Sequence, residues 1–165
     1  MARLVIAATL ITLLATLAAC QSPVAGTTTT VDPLAIFPRE ASYTWDEAGS
    51  TMPDEPGLES LHLSALLHQE ADLAFGERGY RRVATSEADY RLAYEVQLNT
   101  RIEADHSRSL VVLWLTLTEE SSGKNVWTGA AQTKLHVGLT EEERRDRLRE
   151  VFDEMLEEFP PEQRD

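Results

Sequence analysis

The chain has 165 residues, 42% hydrophobic and 26% charged, enough for one domain with an ordinary core. Its formal charge is −13, from 15 Lys and Arg against 28 Asp and Glu. That excludes nucleic acid as an expected partner and speaks against direct adhesion to anionic headgroups, because both need clustered cations, and a single cysteine excludes an internal disulfide.

Arg3 is the only charged residue among the first twenty. Leu4 to Ala19 is apolar except for Thr9, Thr12 and Thr16, a stretch shorter than the roughly 20 residues a membrane span needs. It reads as a secretory signal. Leu17-Ala18-Ala19-Cys20 follows, and resembles the lipobox of bacterial lipoproteins: a large apolar residue, two small ones, then Cys. The resemblance implies cleavage between Ala19 and Cys20, a diacylglyceryl thioether on Cys20 and acylation of the new N-terminus. An ordinary secretory signal or an uncleaved anchor is the alternative. Gln21 stands where Asp would favour retention in the inner membrane, so the expected destination is the outer membrane, facing the periplasm. One acyl chain holds a protein weakly, at about 0.8 kcal/mol per buried CH₂, whereas two or three make release negligible.

Residues 20–36 are expected to be the lipidated cysteine and a flexible tether. Gln21 to Val31 holds Ser22, Pro23, Gly26 and four threonines, without apolar periodicity. A coil of about 15 residues would span roughly 20 Å. The folded domain is expected over 37–162. Ser42-Tyr43-Thr44-Trp45 is a short β-prone run, and Asp46 to Gly57, with two glycines and two prolines, a loop.

Leu58 to Arg78 predicts a helix stopped at Gly79, with Leu63, Leu66, Leu67, Ala71, Leu73 and Ala74 on one face. Glu70 falls within that face. Either its carboxylate is functional or the buried face is slightly rotated, and the second reading is preferred. Ala88 to Glu103 alternates Tyr90, Leu92, Tyr94, Val96, Leu98 and Ile102 with polar residues, the pattern of an antiparallel strand with one wet face. Leu110 to Thr118 is apolar at both parities, as in a central strand. Ser-Ser-Gly-Lys-Asn at 121–125 predicts a hairpin into a third strand, Val126 to Val137, with Trp127, Ala131, Leu135 and Val137 on one side. Thr140 with Glu143 forms a capping box, and Leu148, Val151, Phe152, Met155 and Phe159 a helical stripe that Pro160 and Pro161 end.

The expected fold is α+β: a two-layer sandwich, a mainly antiparallel sheet with both helices on one face, in the order β-α-β-β-β-α. Trp114 points away from Leu113, Leu115 and Leu117. It is expected either on an open sheet face that meets a partner or beneath Ile36 and Phe37 folded over it. Trp127 is weighed as an exposed contact against a core residue under the last helix, and the alternation favours the core.

The domain resembles the DUF4136 family of bacterial lipoproteins. The matching pieces, in order, are Phe37-Pro38, Tyr43-Thr44-Trp45, Gly79-Tyr80, Ala88-Asp89-Tyr90, Ser122 to Gly129 and Phe159-Pro160-Pro161. The segment after Trp45 and the Glu119-Glu120 turn depart from the family pattern. The resemblance implies an envelope lipoprotein with an α+β fold, and supplies no catalytic residues.

No HExxH, P-loop, GxGxxG or GxSxG occurs, so no pattern calls for a metal, a cofactor or a catalytic residue. His62 and His68 are six apart, the wrong spacing for a metal pair on one helix face, and His106 and His136 read as scattered surface residues. The expected function is non-enzymatic: an envelope protein, anchored to a membrane by lipid, that binds or supports an envelope protein partner. The alternative is a periplasmic module for a small apolar or lipid-like ligand held between helices and sheet. A hydrolase built on Glu70 is the third reading.

Overall fold

The computed structural model describes residues 24–54, 62–103, 106–134, 136 and 138–161. Its elements are β1 (Val24–Val31), β2 (Ala41–Trp45), α1 (Leu63–Glu77), β3 (Tyr80–Arg82), β4 (Tyr90–Glu103), β5 (His106–Glu119), β6 (Asn125–Lys134) and α2 (Glu141–Met155). Six strands form one sheet in the order β1-β6-β5-β4-β2-β3. The fold is α+β, with an open and mostly antiparallel sheet.

β4, β5 and β6 form the antiparallel centre, with Tyr94 opposite Leu115 and Leu113 opposite Ala131. Their apolar alternation sets the register, because a slip of one residue would turn Leu92, Tyr94, Val96, Leu113, Leu115 and Leu117 out to water. β2 instead runs parallel to both β3 and β4. Parallel neighbours need a long crossover, and α1 supplies it between β2 and β3. The sequence shows no signal for β3, a strand of three residues.

Val24–Val31, expected within the tether, is an edge strand paired with β6 from Val24–Thr133 to Val31–Trp127. The four threonines conceal it. β-branched residues suit a strand, but threonine at both parities leaves no apolar alternation to read. Cys20 is therefore four residues from the sheet, a reach of at most about 14 Å rather than the span of a long tether.

The buried face of α1 carries Leu66, Leu67, Glu70, Ala71, Ala74 and Phe75. It is rotated from the expected face, since Phe75 is inside and Leu73 is 52% exposed. Phe75 lies 5.4 Å from Tyr43, 6.2 Å from Tyr80, 6.5 Å from Trp127 and 5.3 Å from Phe159, ring centre to ring centre. In α2, Val151, Phe152 and Met155 are buried, and the capping box forms as expected, with Thr140 Oγ1 accepting from the Glu143 amide at 3.3 Å. Trp127 is buried beside Phe159, 5.0 Å between ring centres.

The connection before β2 follows the helix side of the sheet. Phe37 packs edge-on to Phe159 at 5.8 Å, and the hydroxyls of Tyr90 and Tyr80 donate to the carbonyls of Ile36 and Pro38 at 3.1 and 3.0 Å. Buried phenols need such partners, and here they also hold the strap. Ile36 and Phe37 therefore do not cover Trp114. Ile36 is itself 73% exposed, and Trp114 lies on the open face at 36% exposure, between Glu95 of β4 and Ala130 of β6.

Gly79 ends α1 with φ +85°, and a Cβ there would stand 2.3 Å from the Arg39 carbonyl oxygen. Both the left-handed backbone and that contact require glycine. Gly79→Ala is expected to lower stability by about 2 kcal/mol, or roughly 4–8 °C in melting temperature for a domain of this size, measurable by thermal denaturation.

Candidate functional site

Ala19 and Cys20, the predicted cleavage and lipidation residues, lie outside the described residues. No helix among the described residues is long and apolar enough to cross a membrane. No three His, Cys, Asp or Glu among them are placed to hold a metal ion. His62 is exposed at the start of α1, His136 is exposed, and His68 stacks on Trp45 at 4.2 Å between ring centres, close to Tyr94 at 5.6 Å.

Glu70 is 1% exposed and reaches across to α2. Arg145 Nε stands 3.4 Å from Oε1, and Arg149 Nη2 donates to Oε2 at 3.2 Å. The rotation of α1 thus leaves Glu70 inside, because α2 brings two guanidinium groups to it. Its geometry is that of an ion pair between helices.

Asp72, half a turn further on, faces the sheet. Its Oδ1 accepts from the Tyr43 hydroxyl at 2.6 Å and from Trp45 Nε1 at 3.0 Å, while Arg82 holds Oδ2 at 3.2 Å. Burial, then the hydrogen bond to Asp72, raises the Tyr43 phenol far above its ordinary value, so it stays protonated as a donor. Tyr80 is raised by burial too. At the start of β4, Asp89 Oδ2 accepts from the Ser42 hydroxyl at 2.6 Å and the Ser42 amide at 2.8 Å, which lowers its carboxyl. These bonds fasten β2 to its neighbours.

A groove opens between α1, α2 and the sheet at the end where β6 finishes and β1 begins. Its cavity measures about 80 Å³. Leu67, Val96, Leu113 and Val151 line it and are buried, and Leu63 and Leu148 flank it half-buried. Lys134, His136, Arg144 and Arg147 also line it, and among the described residues no Asp or Glu does. In a chain of charge −13 this is a local reversal of sign.

The capping box contributes to the reversal by leaving Arg147 unpaired among the described residues. On a helix Glu143 and Arg147, four apart, would ordinarily pair. Here the Glu143 carboxylate accepts from the Thr140 amide at 2.8 Å and its hydroxyl at 2.9 Å, and those bonds lower its pKa. Arg147 has no hydrogen bond or ion pair among the described residues, and its Nη1 is buried. The sequence gives no sign that Lys134, His136, Arg144 and Arg147 come together, although the capping box that diverts Glu143 from Arg147 is legible in it.

The DUF4136 model, a domain of unknown function, matches residues 27–161. The chain belongs to this family. The match begins within β1, so the DUF4136 domain includes the strand that the sequence alone places in a tether. No curated protein matches the chain by sequence. Among solved structures, a PDZ domain protein from Parabacteroides distasonis aligns at a TM-score of 0.54 and 13% identity, over 84% of this chain and 36% of that one. The DUF4136 chain thus spans about a third of that protein, and the likeness is one of fold. The PelC dodecamer from Paraburkholderia phytofirmans aligns at 0.48 and 13% identity, over 79% of this chain and 96% of that one. Lipoprotein GNA1162 from Neisseria meningitidis aligns at 0.43 and 17%, over 66% and 92%.

Proposed function

We propose that this DUF4136 protein is a non-enzymatic envelope protein, anchored by lipid on Cys20 in the outer membrane and facing the periplasm, with a binding or structural role towards an envelope protein partner. The observation that supports it is Leu17-Ala18-Ala19-Cys20 directly after a short apolar run with one preceding arginine. With β1 beginning at Val24, the anchor keeps the sheet close to the lipid surface. The open face around Trp114 is the surface offered to the partner.

The test is Cys20→Ser, followed by membrane fractionation and labelling with radioactive palmitate. Wild-type protein is expected in the membrane fraction with label. The variant is expected without label, either soluble in the periplasm or retained with its signal uncut. A variant that fractionates and matures like wild type would overturn the anchor.

A second reading, a module for a small apolar or lipid-like ligand, is favoured by the groove between helices and sheet. At about 80 Å³ its cavity is roughly half the size of an apolar cavity that admits benzene, so it suits the end of an alkyl chain rather than a bulky ring.

A further inference from the structure

We propose that the groove binds an anionic amphiphile with a single alkyl chain, its acid group held by Arg147 and its chain end in the cavity. The inference rests on the ligand-binding reading and names the ligand's chemistry.

Three observations carry it. First, Leu67, Val96, Leu113 and Val151 make an apolar floor, and Thr133 is the one uncharged hydroxyl among the described lining residues, too little to direct a sugar, peptide or nucleotide. An alkyl chain matches such a floor, because each buried CH₂ contributes about 0.8 kcal/mol and asks for no hydrogen bond. Second, the mouth is cationic within an acidic protein. Lys134, Arg144 and Arg147 face it, with His136 beside them and no carboxylate among the described lining residues. Of the three acidic residues in the first turn of α2, two are directed elsewhere: Glu141 pairs with Arg145 at 3.2 Å, and Glu143 closes the capping box. Glu142 stays exposed. Third, two guanidinium nitrogens at the mouth are buried without a hydrogen-bond acceptor, Arg144 Nε and Arg147 Nη1. Arg144 is otherwise tied by Nη1 to the Leu139 carbonyl, which leaves Arg147 as the group with its whole fork to offer. A buried guanidinium nitrogen without an acceptor is costly, and a carboxylate or phosphate accepts from it bidentately.

The location agrees with the anchor. Val24 pairs with Thr133, a lining residue of the groove, so the mouth lies at the end of the sheet from which the chain runs back to Cys20. A ligand of this class would be met at the surface of the membrane that Cys20 occupies.

The test is a methyl-NMR titration of the mature-length chain, residues 20–165 with Cys20→Ser, which retains every residue of the core. The probes are decanoate and decanol, equal in chain length and different in charge. Decanoate is expected to shift the methyls of Leu67, Val96, Leu113 and Val151 saturably, and to bind about tenfold more tightly than decanol, as one charged hydrogen-bonded contact implies. Arg147→Gln is expected to remove that tenfold advantage and leave decanol unaffected, and Arg147→Lys to restore part of it. Leu148→Trp, which narrows the groove, is expected to weaken both probes. Equal affinity for decanoate and decanol would overturn the anionic head while sparing the ligand reading. No saturable shift with either probe would overturn both. Binding to phosphatidylglycerol vesicles with none to monomeric decanoate would also overturn the proposal, and would make the mouth a membrane surface instead.

Discussion

Phe75→Ala is expected to lower the unfolding free energy by about 4 kcal/mol, read as a fall in the denaturant midpoint. The ring is fully buried and touches Tyr43, Tyr80, Trp127 and Phe159, which come from β2, β3, β6 and the segment after α2. Alanine would leave a cavity where these four elements meet. Aromatic neighbours held by hydrogen bonds, such as Tyr43 on Asp72 and Tyr80 on Pro38, cannot easily collapse into it. Against a total stability of about 5–15 kcal/mol for a typical domain, this loss is a large share. Leu73→Ala, two residues away but exposed, is expected to change stability by no more than about 0.5 kcal/mol. Similar effects at the two positions would show that α1 presents a different face to the sheet.

The ion pairs of Glu70 predict an asymmetry. The carboxylate side chain is 0% exposed, whereas Arg145 and Arg149 are 34% and 51% exposed. Removing the arginines strands a charge inside the protein, and the double variant Arg145→Ala with Arg149→Ala is expected to cost about 3 kcal/mol. Removing the carboxylate instead lets both guanidinium groups turn to water. Glu70→Leu is therefore expected to fall within about 1 kcal/mol of wild type, and to rescue most of the loss when added to the double variant. Denaturant unfolding of the four proteins closes the cycle. If Glu70→Leu proved as damaging as the double variant, the carboxylate would have a role beyond pairing.

Much of the fold could be read directly along the chain. Strand β4 declares itself because Tyr90 to Leu98 faces a core on one side and water on the other, so burial repeats every second residue. The start of α2 does so because a capping box is a local pattern, complete within Thr140 to Glu143. The same alternation assigns Trp127 to the core, and the ring is buried there. The failures share a cause. β1 is an edge strand whose threonines show no apolar parity, and its identity comes from backbone pairing with β6, about a hundred residues later. β3 is too short for any period. The direction of β2 depends on a crossover through α1, and composition carries no sign of direction.

The candidate site divides in the same way. Leu17-Ala18-Ala19-Cys20 is a contiguous pattern, so the sequence alone carries the whole case for an anchor at Cys20. The sequence also determined the class of fold, the capped helix and the acidic balance of the chain. Only the tertiary structure decided that Glu70 meets two arginines, that Trp114 stays on an open face and that three cations and a histidine surround an apolar groove. Contiguous patterns depend on covalent spacing, which the chain itself holds constant. Lys134, Arg144 and Arg147 become one charged mouth only when α2 packs beside the end of β6, and that packing is set by apolar contacts in which none of the three takes the leading part.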